Sequence, residues 1–425
     1  MILTARLLLP ISDPPILDGG LFIRDGAICA VGKASELIRE FPTEPHDDLG
    51  SAVILPGLVN AHTHLELTGL HGRLPLGKSF TEWVTALLGL RAELDDEFFA
   101  TSARLGATTL LRSGVTCVAD ITMFGSSVAP LKAAGLRGII FQEILGPHPE
   151  QAMERLDAAE KALQSLQLHT DGSLLSVGLS PHAPYSLSEP LLLRCAELLR
   201  RRNLPATIHL AESPEEVTYI GLGLGPIATE LLPAVGRHSS SHRVCGESPV
   251  AFIDRVGLLS DQLLAVHLVH VGMSDLKLLR QRGVALAVCP RSNHYLKVGT
   301  APLPRYLAAS LRVGLGTDSL ASNDTLSLWD EMRFARRLYD GAVTPQQLVT
   351  MATLGGADAL GMAGTIGSLT PGKRADFIAL AIDHLDDADP YGSLLSQASD
   401  DSVVLSMVEG KILYQCEGTA RWNCH

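Results

Sequence analysis

Short apolar segments alternate with amphipathic segments through the middle of the chain. Eight apolar runs have the length of strands: residues 53–60, 114–121, 136–144, 174–180, 205–212, 263–271, 283–290 and 311–318. Between them the apolar positions are spaced as in helices, for example over residues 190–202 and 274–282. Strands that alternate with helices are typical of βα units and a parallel sheet. Eight such units over roughly 300 residues predict an α/β fold of the TIM-barrel type, (β/α)₈, with insertions.

The two ends of the chain instead carry short strand-like runs separated by turns. These runs are residues 5–11, 19–32, 51–57, 375–382 and 402–415. The second run contains Asp25-Gly26, a dipeptide typical of the two-residue turn of a β-hairpin. Because strand-rich ends flank the βα region, we expect residues 1–55 and 366–425 to form one small β-sandwich domain. Residues 56–365 then form the barrel, which would carry the chemistry.

Composition and charge narrow the classes of partner. Of the 425 residues, 46% are hydrophobic and 19% are charged, and the formal net charge is −12. This negative charge argues against binding to nucleic acid or to an anionic membrane. No segment reaches the roughly 20 apolar residues of a membrane helix, and the N-terminal run lacks the features of a signal peptide. Seven scattered cysteines without a C-x-x-C motif fit reduced thiols, so we expect a cytoplasmic protein.

Side chains with metal-binding or acid–base chemistry stand at the ends of five of the eight predicted strands. They are His62 and His64 after the first strand, His182 after the fourth, His209 and Glu212 at the fifth, His267 and His270 in the sixth, and Asp318 at the eighth. Residues two apart in a strand point to the same side, so His62 and His64 can address one point in space. In such barrels the chemistry lies at the C-terminal ends of the strands. Neutral imidazoles with one carboxylate suit Zn²⁺ or Fe²⁺, so the pattern predicts a metal site.

Longer motifs along the chain resemble those of one enzyme family. In order they are "PGLVNAHTHLE", "HLAES", "HLVH", "CPRSN", "GLGTDSLASNDTLSLWDEMR" and "GSLTPGKRADFIAL". Their combination and order resemble the amidohydrolase superfamily over nearly the whole chain. The resemblance implies a distorted (β/α)₈ barrel with a β-sandwich made from both chain ends. It is nearest to the mononuclear aminohydrolase branch, which includes guanine deaminase, adenosylhomocysteine/methylthioadenosine deaminase, aminodeoxyfutalosine deaminase and triazine hydrolases.

The resemblance also implies roles for the residues at the strand ends. It implies one divalent metal ion per chain, zinc or alternatively iron, whose ligands would be His62, His64, His209 and Asp318. Glu212 resembles the family's proton-shuttling glutamate. His267 resembles the histidine that contacts the metal-bound water, and with Asp318 it would position that water and accept its proton. The fourth apolar run and the residues after it contain no lysine like the one that bridges two metals in the dinuclear branch, so a two-metal site is disfavoured.

Three residues near the expected metal are candidates for contact with the substrate. His182 would lie across the barrel mouth, either donating to a substrate ring or ribose or buried as a hydrogen-bonded histidine. Asn293 occupies the family's usual "SN" position after the seventh strand. Glu66 would either contact the substrate or support the metal ligands. For His270, a packing or supporting role is favoured over metal binding.

The segment 77–97 after the first strand reads as a loop followed by an amphipathic helix. Its Trp83 could cap a planar substrate ring, although packing in the core is the favoured interpretation. Its Arg91 could reach a polar end of the substrate, although a solvated charge on the helix is favoured. Both residues are therefore kept as candidates for substrate binding.

Hydrolytic deamination of an aminated N-heterocycle is the reaction that these residues support best. The expected substrate is an adenine-containing nucleoside of the adenosylhomocysteine/methylthioadenosine or aminodeoxyfutalosine type, and ammonia is released. Alternatives are a deaminase of guanine or another base, a mononuclear hydrolase of triazines or cyclic amides, and a non-catalytic binding protein. The presence of Glu212, His267 and Asp318 argues against the last of these. The expected partner is this small molecule, and a homo-oligomer is implied only by analogy.

Overall fold

The computed structural model describes residues 1–74, 79–237, 244 and 246–416. Residues 417–425 of the predicted sandwich domain lie outside the described residues, as do Gly77 and Lys78 of the predicted loop. None of the helices in the described ranges has the length and apolarity needed to cross a bilayer.

The N-terminal strands build most of a mixed sheet. They are β1 (Ile2–Leu8), β2 (Ile16–Arg24), β3 (Ala27–Lys33), β4 (His46–Asp48) and β5 (Val53–Pro56), and helix α1 (Ala34–Glu40) follows β3. Strand β1 pairs antiparallel with β2 and parallel with β4 and β5. The predicted hairpin is confirmed, because β2 and β3 pair antiparallel across Asp25 and Gly26. Both turn residues have positive φ, which matches the twist of hairpin strands.

The middle of the chain forms a parallel barrel of eight strands. They are β6 (Leu58–Thr63), β7 (Val115–Thr122), β8 (Arg137–Ile144), β9 (Leu175–Pro181), β10 (Ala206–Leu210), β11 (Leu263–His267), β12 (Ala285–Val288) and β13 (Arg312–Leu315). In space the strands follow their order along the chain, and neighbouring strands pair in parallel. A bridge between Thr63 and Asp318 joins the end of the first strand to the segment that follows the last. The predicted (β/α)₈ barrel is therefore confirmed.

Helices connect the barrel strands. They are α2 (Phe80–Arg91), α3 (Asp96–Arg112), α4 (Val128–Ala133), α5 (Ala152–Thr170), α6 (Glu189–Arg202), α7 (Pro214–Leu222), α8 (Leu232–Ala234), α9 (Pro249–Arg255), α10 (Met273–Arg282), α11 (Pro290–Tyr295), α12 (Leu303–Ala308), α13 (Leu328–Leu338), α14 (Pro345–Thr350) and α15 (Gly356–Ala359). Short 3₁₀ turns cover Leu65–Leu70 and Pro149–Gln151, and π-helical turns cover Ile227–Leu231 and Met351–Gly355. Helix α6 confirms the prediction for residues 190–202. Its first turn contains Pro190, and it ends where Asn203 takes the left-handed conformation.

The C-terminal strands complete the sheet that the N-terminus begins. They are β14 (Phe377–Leu380), β15 (Val403–Val408) and β16 (Lys411–Gln415), with helix α16 (Pro390–Gln397) and a 3₁₀ turn (Asp400–Ser402) before β15. Because β14 pairs antiparallel with β5, the strands of both ends form one sheet in the order β16-β15-β14-β5-β1-β2-β3. This sheet has a hydrophobic core of its own, which includes Leu21, Ile54, Phe377 and Met407. The prediction of a small sheet domain from both chain ends is confirmed.

The first apolar run, residues 53–60, is two strands rather than the single strand that its composition predicts. Strand β5 belongs to the terminal sheet and β6 to the barrel, and the chain passes between them at Gly57. A Cβ atom at residue 57 would lie 2.0 Å from Oγ1 of Thr116, so only glycine fits this crossing. The hydrophobic pattern does not reveal the break, because both strands are buried.

A buried ion pair joins the barrel to the terminal sheet. Arg137, at the start of β8, donates through Nε to Oδ2 of Asp376 at 2.8 Å and through Nη2 to Oε1 of Glu409 at 3.1 Å. The side chain of Asp376 is only 1% exposed. Its negative charge is therefore compensated by Arg137 rather than by water.

Replacing Arg137 by alanine is expected to lower the free energy of unfolding by about 3 kcal/mol, because the Asp376 carboxylate stays buried without its partner. Urea denaturation of the wild type and the variant measures this difference. The control is Arg282→Ala, which removes an exposed pair with Asp254 and is expected to lower the free energy of unfolding much less than Arg137→Ala. Equal losses for the two variants would contradict the proposed importance of the buried pair.

Candidate active site

Metal-binding side chains from four strand ends meet on one rim of the barrel. Nε2 of His62 lies 3.5 Å from Oδ1 of Asp318, and Nε2 of His64 lies 3.7 Å from the same oxygen. The Nε2 atoms of His64 and His209 are 3.3 Å apart. Ligand atoms lie within 4.8 Å of one another in two overlapping groups, one of His62, His64 and His209 and one of His62, His267 and Asp318. The structure thus brings together five of the eight residues that the sequence places at strand ends.

The backbone takes the left-handed conformation at two of these residues. The φ angles of His267 and Asp318 are 71° and 56°. Such angles are uncommon for residues other than glycine and are found at functional sites. The turn at His267 and Leu268 also ends β11, so this strand is shorter than the predicted run 263–271. Both turns direct the chain so that the side chains converge.

The chemistry of this cluster fits a divalent metal ion. Nε2 of His62 is buried and has no hydrogen-bond partner among the described residues. Burial lowers the pKa of His209 and of His267 to about 4, and it lowers the pKa of His64 well below its ordinary value. The imidazoles are therefore neutral near pH 7 and can offer lone pairs. Neutral imidazoles beside one carboxylate form a donor set typical of zinc sites.

Hydrogen bonds to the far side of the imidazole rings fix two of these histidines. Nδ1 of His209 donates to the backbone carbonyl of His182 at 2.8 Å, which leaves Nε2 without a proton. Nδ1 of His267 donates to Oδ1 of Asn293 at 2.9 Å. Asn293 is buried behind His267 and does not line the cavity above the cluster. The structure therefore gives this candidate for substrate contact a role in orienting His267.

Asp318 is held by three hydrogen bonds. Its Oδ2 accepts from the hydroxyls of Ser292 at 2.6 Å and Ser322 at 2.8 Å, and its Oδ1 accepts from the backbone N–H of Ser319 at 2.8 Å. Burial alone would raise the pKa of Asp318, but His62 and the neighbouring histidines hold the pKa well below its ordinary value. The carboxylate is thus ionised and fixed in orientation.

Glu212 lies beside the cluster with its carboxyl group 3.6 Å from Nε2 of His267. Burial and the negative charges of Asp318 and Glu216 raise its pKa well above the ordinary value. The backbone N–H groups of Ala211 and Glu212 both donate to the Glu216 carboxylate at 2.9 Å, which fixes the segment that carries Glu212. A buried carboxyl group with a raised pKa, close to a metal-binding cluster, is suited to carry a proton.

A cavity of about 240 Å³ opens above this cluster. His64, His209, His267, Asp318 and Glu212 line its floor. Its walls are mainly apolar and come from α2, from the segment after β8, and from residues around α8. A concave apolar site with a few converging polar groups is the usual form of a small-molecule site.

Two of the predicted substrate contacts, His182 and Trp83, line this cavity. Nδ1 of His182 is 2.8 Å from the Ser186 hydroxyl, so the opposite side of the ring is presented to the cavity. The indole N–H of Trp83 donates to the backbone carbonyl of Ala321 at 3.2 Å. This bond and packing in the core hold Trp83 in place, which agrees with the favoured interpretation of this residue. Another part of its side chain borders the cavity.

Arg91 also lines the cavity, so its favoured interpretation as a solvated charge is wrong. Its side chain is 15% exposed, and its Nη1 lies 3.9 Å from Oε2 of Glu143. Its Nη2 contacts Sδ of Met123 at 2.8 Å, and its guanidinium lies 6.0 Å from the centre of the Phe124 ring. The amphipathic pattern misleads here because the face of α2 that carries Arg91 is covered by the segment after β7.

Glu66 is turned away from the cavity. Its carboxylate accepts from the Thr122 hydroxyl and from the backbone N–H groups of Met123 and Ser126, both at 2.9 Å. It does not line the cavity. The sequence left two interpretations of Glu66, contact with the substrate or support of the metal ligands. The structure favours a supporting role, because the carboxylate oxygens of Glu66 hold the loop after β7.

Sequence reasoning missed several residues that shape the site. They include Glu143, Glu216 and Ser322. Ser213 and Glu216 form the pattern S-x-x-E at the start of a helix. This pattern could have indicated that Glu216 has a structural role there. The packing role favoured for His270 fits the structure, since its Nε2 donates to the backbone carbonyl of Val298 at 2.7 Å.

Comparison with known proteins places the chain among metal-dependent hydrolases. A model of the amidohydrolase family matches residues 53–413. The chain is 33% identical over 412 residues to a 5-methylthioadenosine/S-adenosylhomocysteine deaminase of Syntrophobacter fumaroxidans, covering 93% of this chain and 88% of the relative. It is 34% identical over 351 residues to an aminodeoxyfutalosine deaminase of Deinococcus radiodurans, covering 81% of each chain. An adenosine deaminase of Xanthomonas campestris, solved with bound zinc, superposes with a TM-score of 0.80 at 26% identity and covers 97% of this chain and 92% of its own.

Proposed function

The chain belongs to the amidohydrolase family, and we propose that it is a metal-dependent deaminase of an adenine-containing nucleoside that releases ammonia. The observation that carries this proposal is the position of Glu212. Its carboxyl group, with a raised pKa, stands beside the cluster of histidines and Asp318 on the floor of the cavity. A proton carrier beside a metal-binding cluster is what hydrolytic removal of a ring amine requires.

We propose that one zinc ion binds to His62, His64, His209 and Asp318. The neutral imidazoles, the ionised carboxylate and Nε2 of His62, which has no hydrogen-bond partner among the described residues, support this ligand set. The zinc bound to the adenosine deaminase of Xanthomonas campestris supports the choice of metal. When bound, such an ion lowers the pKa of a coordinated water toward neutrality and supplies a nucleophile.

The chain's own residues move the protons of the proposed reaction. Glu212 protonates the ring nitrogen next to the carbon that bears the amino group, which makes that carbon electrophilic. His267 and Asp318 hold the attacking water and accept its proton. Glu212 then takes the remaining hydroxyl proton of the added water and passes it to the leaving amine as the C–N bond breaks, so that one water and one C–NH₂ group become a ring C=O and ammonia. The proton held by His267 and Asp318 returns to Glu212, whose carboxyl group lies 3.6 Å from Nε2 of His267. Asn293 and Glu216 take part by holding His267 and the segment that carries Glu212.

Substrate contacts and cellular location complete the proposal. We propose that His182, Trp83 and Arg91 contact the nucleoside, supported by their places in the cavity wall. A cytoplasmic location is supported by the cysteines in the described ranges, which are all free thiols.

Ammonia release from a panel of substrates tests the proposed function. The panel holds adenosine, methylthioadenosine, adenosylhomocysteine, aminodeoxyfutalosine, guanine and cytosine, and the metal content of the protein is measured first. We expect ammonia from at least one adenine nucleoside and none from guanine or cytosine. Silence across the adenine nucleosides, with about one metal ion bound per chain, would overturn the proposal.

A further inference from the structure

Glu331 is a buried acidic residue that takes no direct part in the proposed reaction. It lies on α13, on the face of the helix that also buries Leu328, Trp329 and Met332, and its side chain is fully buried. A buried carboxyl group costs free energy unless its oxygens are hydrogen-bonded, and an apolar side chain at this position would avoid that cost. The hydrogen bonds of Glu331 therefore indicate what the carboxyl group does there.

The two oxygens of Glu331 contact two segments of the barrel rim, residues 290–293 and residues 317–323. Oε2 accepts from the backbone N–H of Arg291 at 3.2 Å, and Oε1 accepts from Nδ2 of Asn323 at 2.8 Å. The first segment follows β12 and the second follows β13. The carboxyl group thus joins the segments that extend from the ends of two neighbouring strands.

The first rim segment holds the carboxylate of Asp318. Ser292 donates its hydroxyl to Oδ2 of Asp318 at 2.6 Å. Ser292 directly follows Arg291, whose backbone N–H is held by Glu331. The bond to Glu331 therefore fixes the position from which Ser292 reaches Asp318.

The second rim segment holds the backbone at Asp318. Nδ2 of Asn323 donates to Glu331 and also, at 2.8 Å, to the backbone carbonyl of Thr317. Oδ1 of Asn323 accepts from Nε of Arg291 at 3.3 Å, which fixes the direction of the amide group. The Thr317 carbonyl belongs to the peptide group that precedes Asp318, and the φ angle of Asp318 is 56°. A backbone conformation of this kind persists only where the surrounding groups hold it.

We propose that Glu331 is a positioning residue for Asp318, which it holds through its hydrogen bonds to both rim segments. Glu331 does not line the cavity above the cluster, so it acts through these neighbours and has no contact with the substrate. The inference rests on the proposed function for the role of Asp318 as a metal ligand. Loss of a group that orients a ligand weakens metal binding or activity by about 10–100-fold.

Zinc affinity tests the inference without depending on turnover. Glu331→Met fills about the same volume and removes both acceptors. Its Kd for zinc, measured by competition with a chromophoric chelator, is expected to rise at least about tenfold over that of the wild type. Glu331→Gln keeps one acceptor, so its Kd is expected to lie between the other two values. An unchanged Kd in a folded Glu331→Met protein overturns the inference.

A cycle of single and double variants tests the route from Glu331 to Asp318. Ser292→Ala removes the hydroxyl that contacts Asp318 and is also expected to raise the zinc Kd about tenfold. Because Glu331 acts in part through this hydroxyl, Glu331→Met and Ser292→Ala together should raise Kd by less than the product of the two single effects. A double variant that reaches the full product overturns the inference.

Asp376→Asn is the control for a general loss of stability. Asp376 is also a buried carboxylate, but its partner Arg137 lies at the start of β8, at the end of the barrel opposite the rim. Asp376→Asn is expected to lower Tm and to leave the zinc Kd within about threefold of the wild type. If Glu331→Met fails to fold, as judged by circular dichroism, the Kd of Glu331→Gln decides, and a wild-type value overturns the inference.

The inference and the proposed function fail by different results. An unchanged zinc Kd in Glu331→Met, with an active wild type, overturns the inference alone. A raised Kd in Glu331→Met, with a zinc-loaded wild type that releases no ammonia from any adenine nucleoside, supports the inference and overturns the proposed function. A wild type that binds no zinc overturns both.

Discussion

Replacing Glu212 by glutamine is expected to lower kcat for an adenine nucleoside by about 10³-fold while the metal content stays unchanged. Glutamine has nearly the same shape as glutamate but cannot carry the proton that the ring nitrogen and the leaving amine require. Since Glu212 is not among the residues whose ligand atoms form the metal-binding groups, the ion should remain bound. Steady-state ammonia release, with metal analysis of the same samples, measures both quantities.

The neighbouring Glu215 offers a control for the loss of charge. It lies three residues along the chain, in the first turn of α7, and is only half-buried outside the cavity. Glu215→Gln removes the same charge from the same segment, and kcat is expected to change by less than about threefold. A Glu212→Gln protein with kcat within tenfold of the wild type would contradict the assignment of Glu212 as the proton carrier.

The fold was predictable because the signals on which it depends are local. Eight apolar runs separated by helical patterns give the barrel directly, and strand-like ends give the terminal sheet. What the pattern could not give is the change of sheet at Gly57. That break depends on the approach of Thr116, which is distant in sequence and is visible only once the strands are packed.

The convergence of the histidines and Asp318 in one cluster was predictable for a similar reason. His62 and His64 are two residues apart in a strand, so their side chains point to the same side. Because the barrel brings its strand ends to one rim, histidines and carboxylates at other strand ends are expected to lie beside them. The contacts of the side chains around the cluster could not be predicted in this way. Glu66 and Asn293 lie near it in sequence, but their side chains turn to a loop and to His267. Side-chain direction beyond the strand ends depends on loops, which the periodicity does not describe.

The proximity of Arg91 and Glu143 could not be predicted from the sequence pattern either. Arg91 reads as a surface charge because its helix is amphipathic, and Glu143 reads as part of a buried strand. Neither residue signals its partner, since β8 and α2 are distant in sequence. Their proximity follows only from the packing of α2 beside the end of β8.

Replacing His209 by alanine is expected to remove the bound metal ion and to lower kcat/KM by at least about 10³-fold. Loss of a group that merely orients a ligand already costs about 10–100-fold, and loss of the ligand itself should cost more. His209 contributes Nε2 to the cluster, and no other described residue occupies that position beside His64. Metal analysis after gel filtration and ammonia release of the same protein measure the two losses.

His270 provides the matched control, because it is a neighbouring histidine whose Nε2 donates to the backbone carbonyl of Val298 instead. His270→Ala is expected to retain about one metal ion per chain. The thermal midpoint Tm separates metal loss from misfolding. Zinc at 100 times its Kd stabilises a folded protein by about 2.7 kcal/mol, so adding zinc to the chelated wild type should raise Tm. It should leave Tm of His209→Ala unchanged, and an equal rise in both proteins would mean that the ion binds elsewhere.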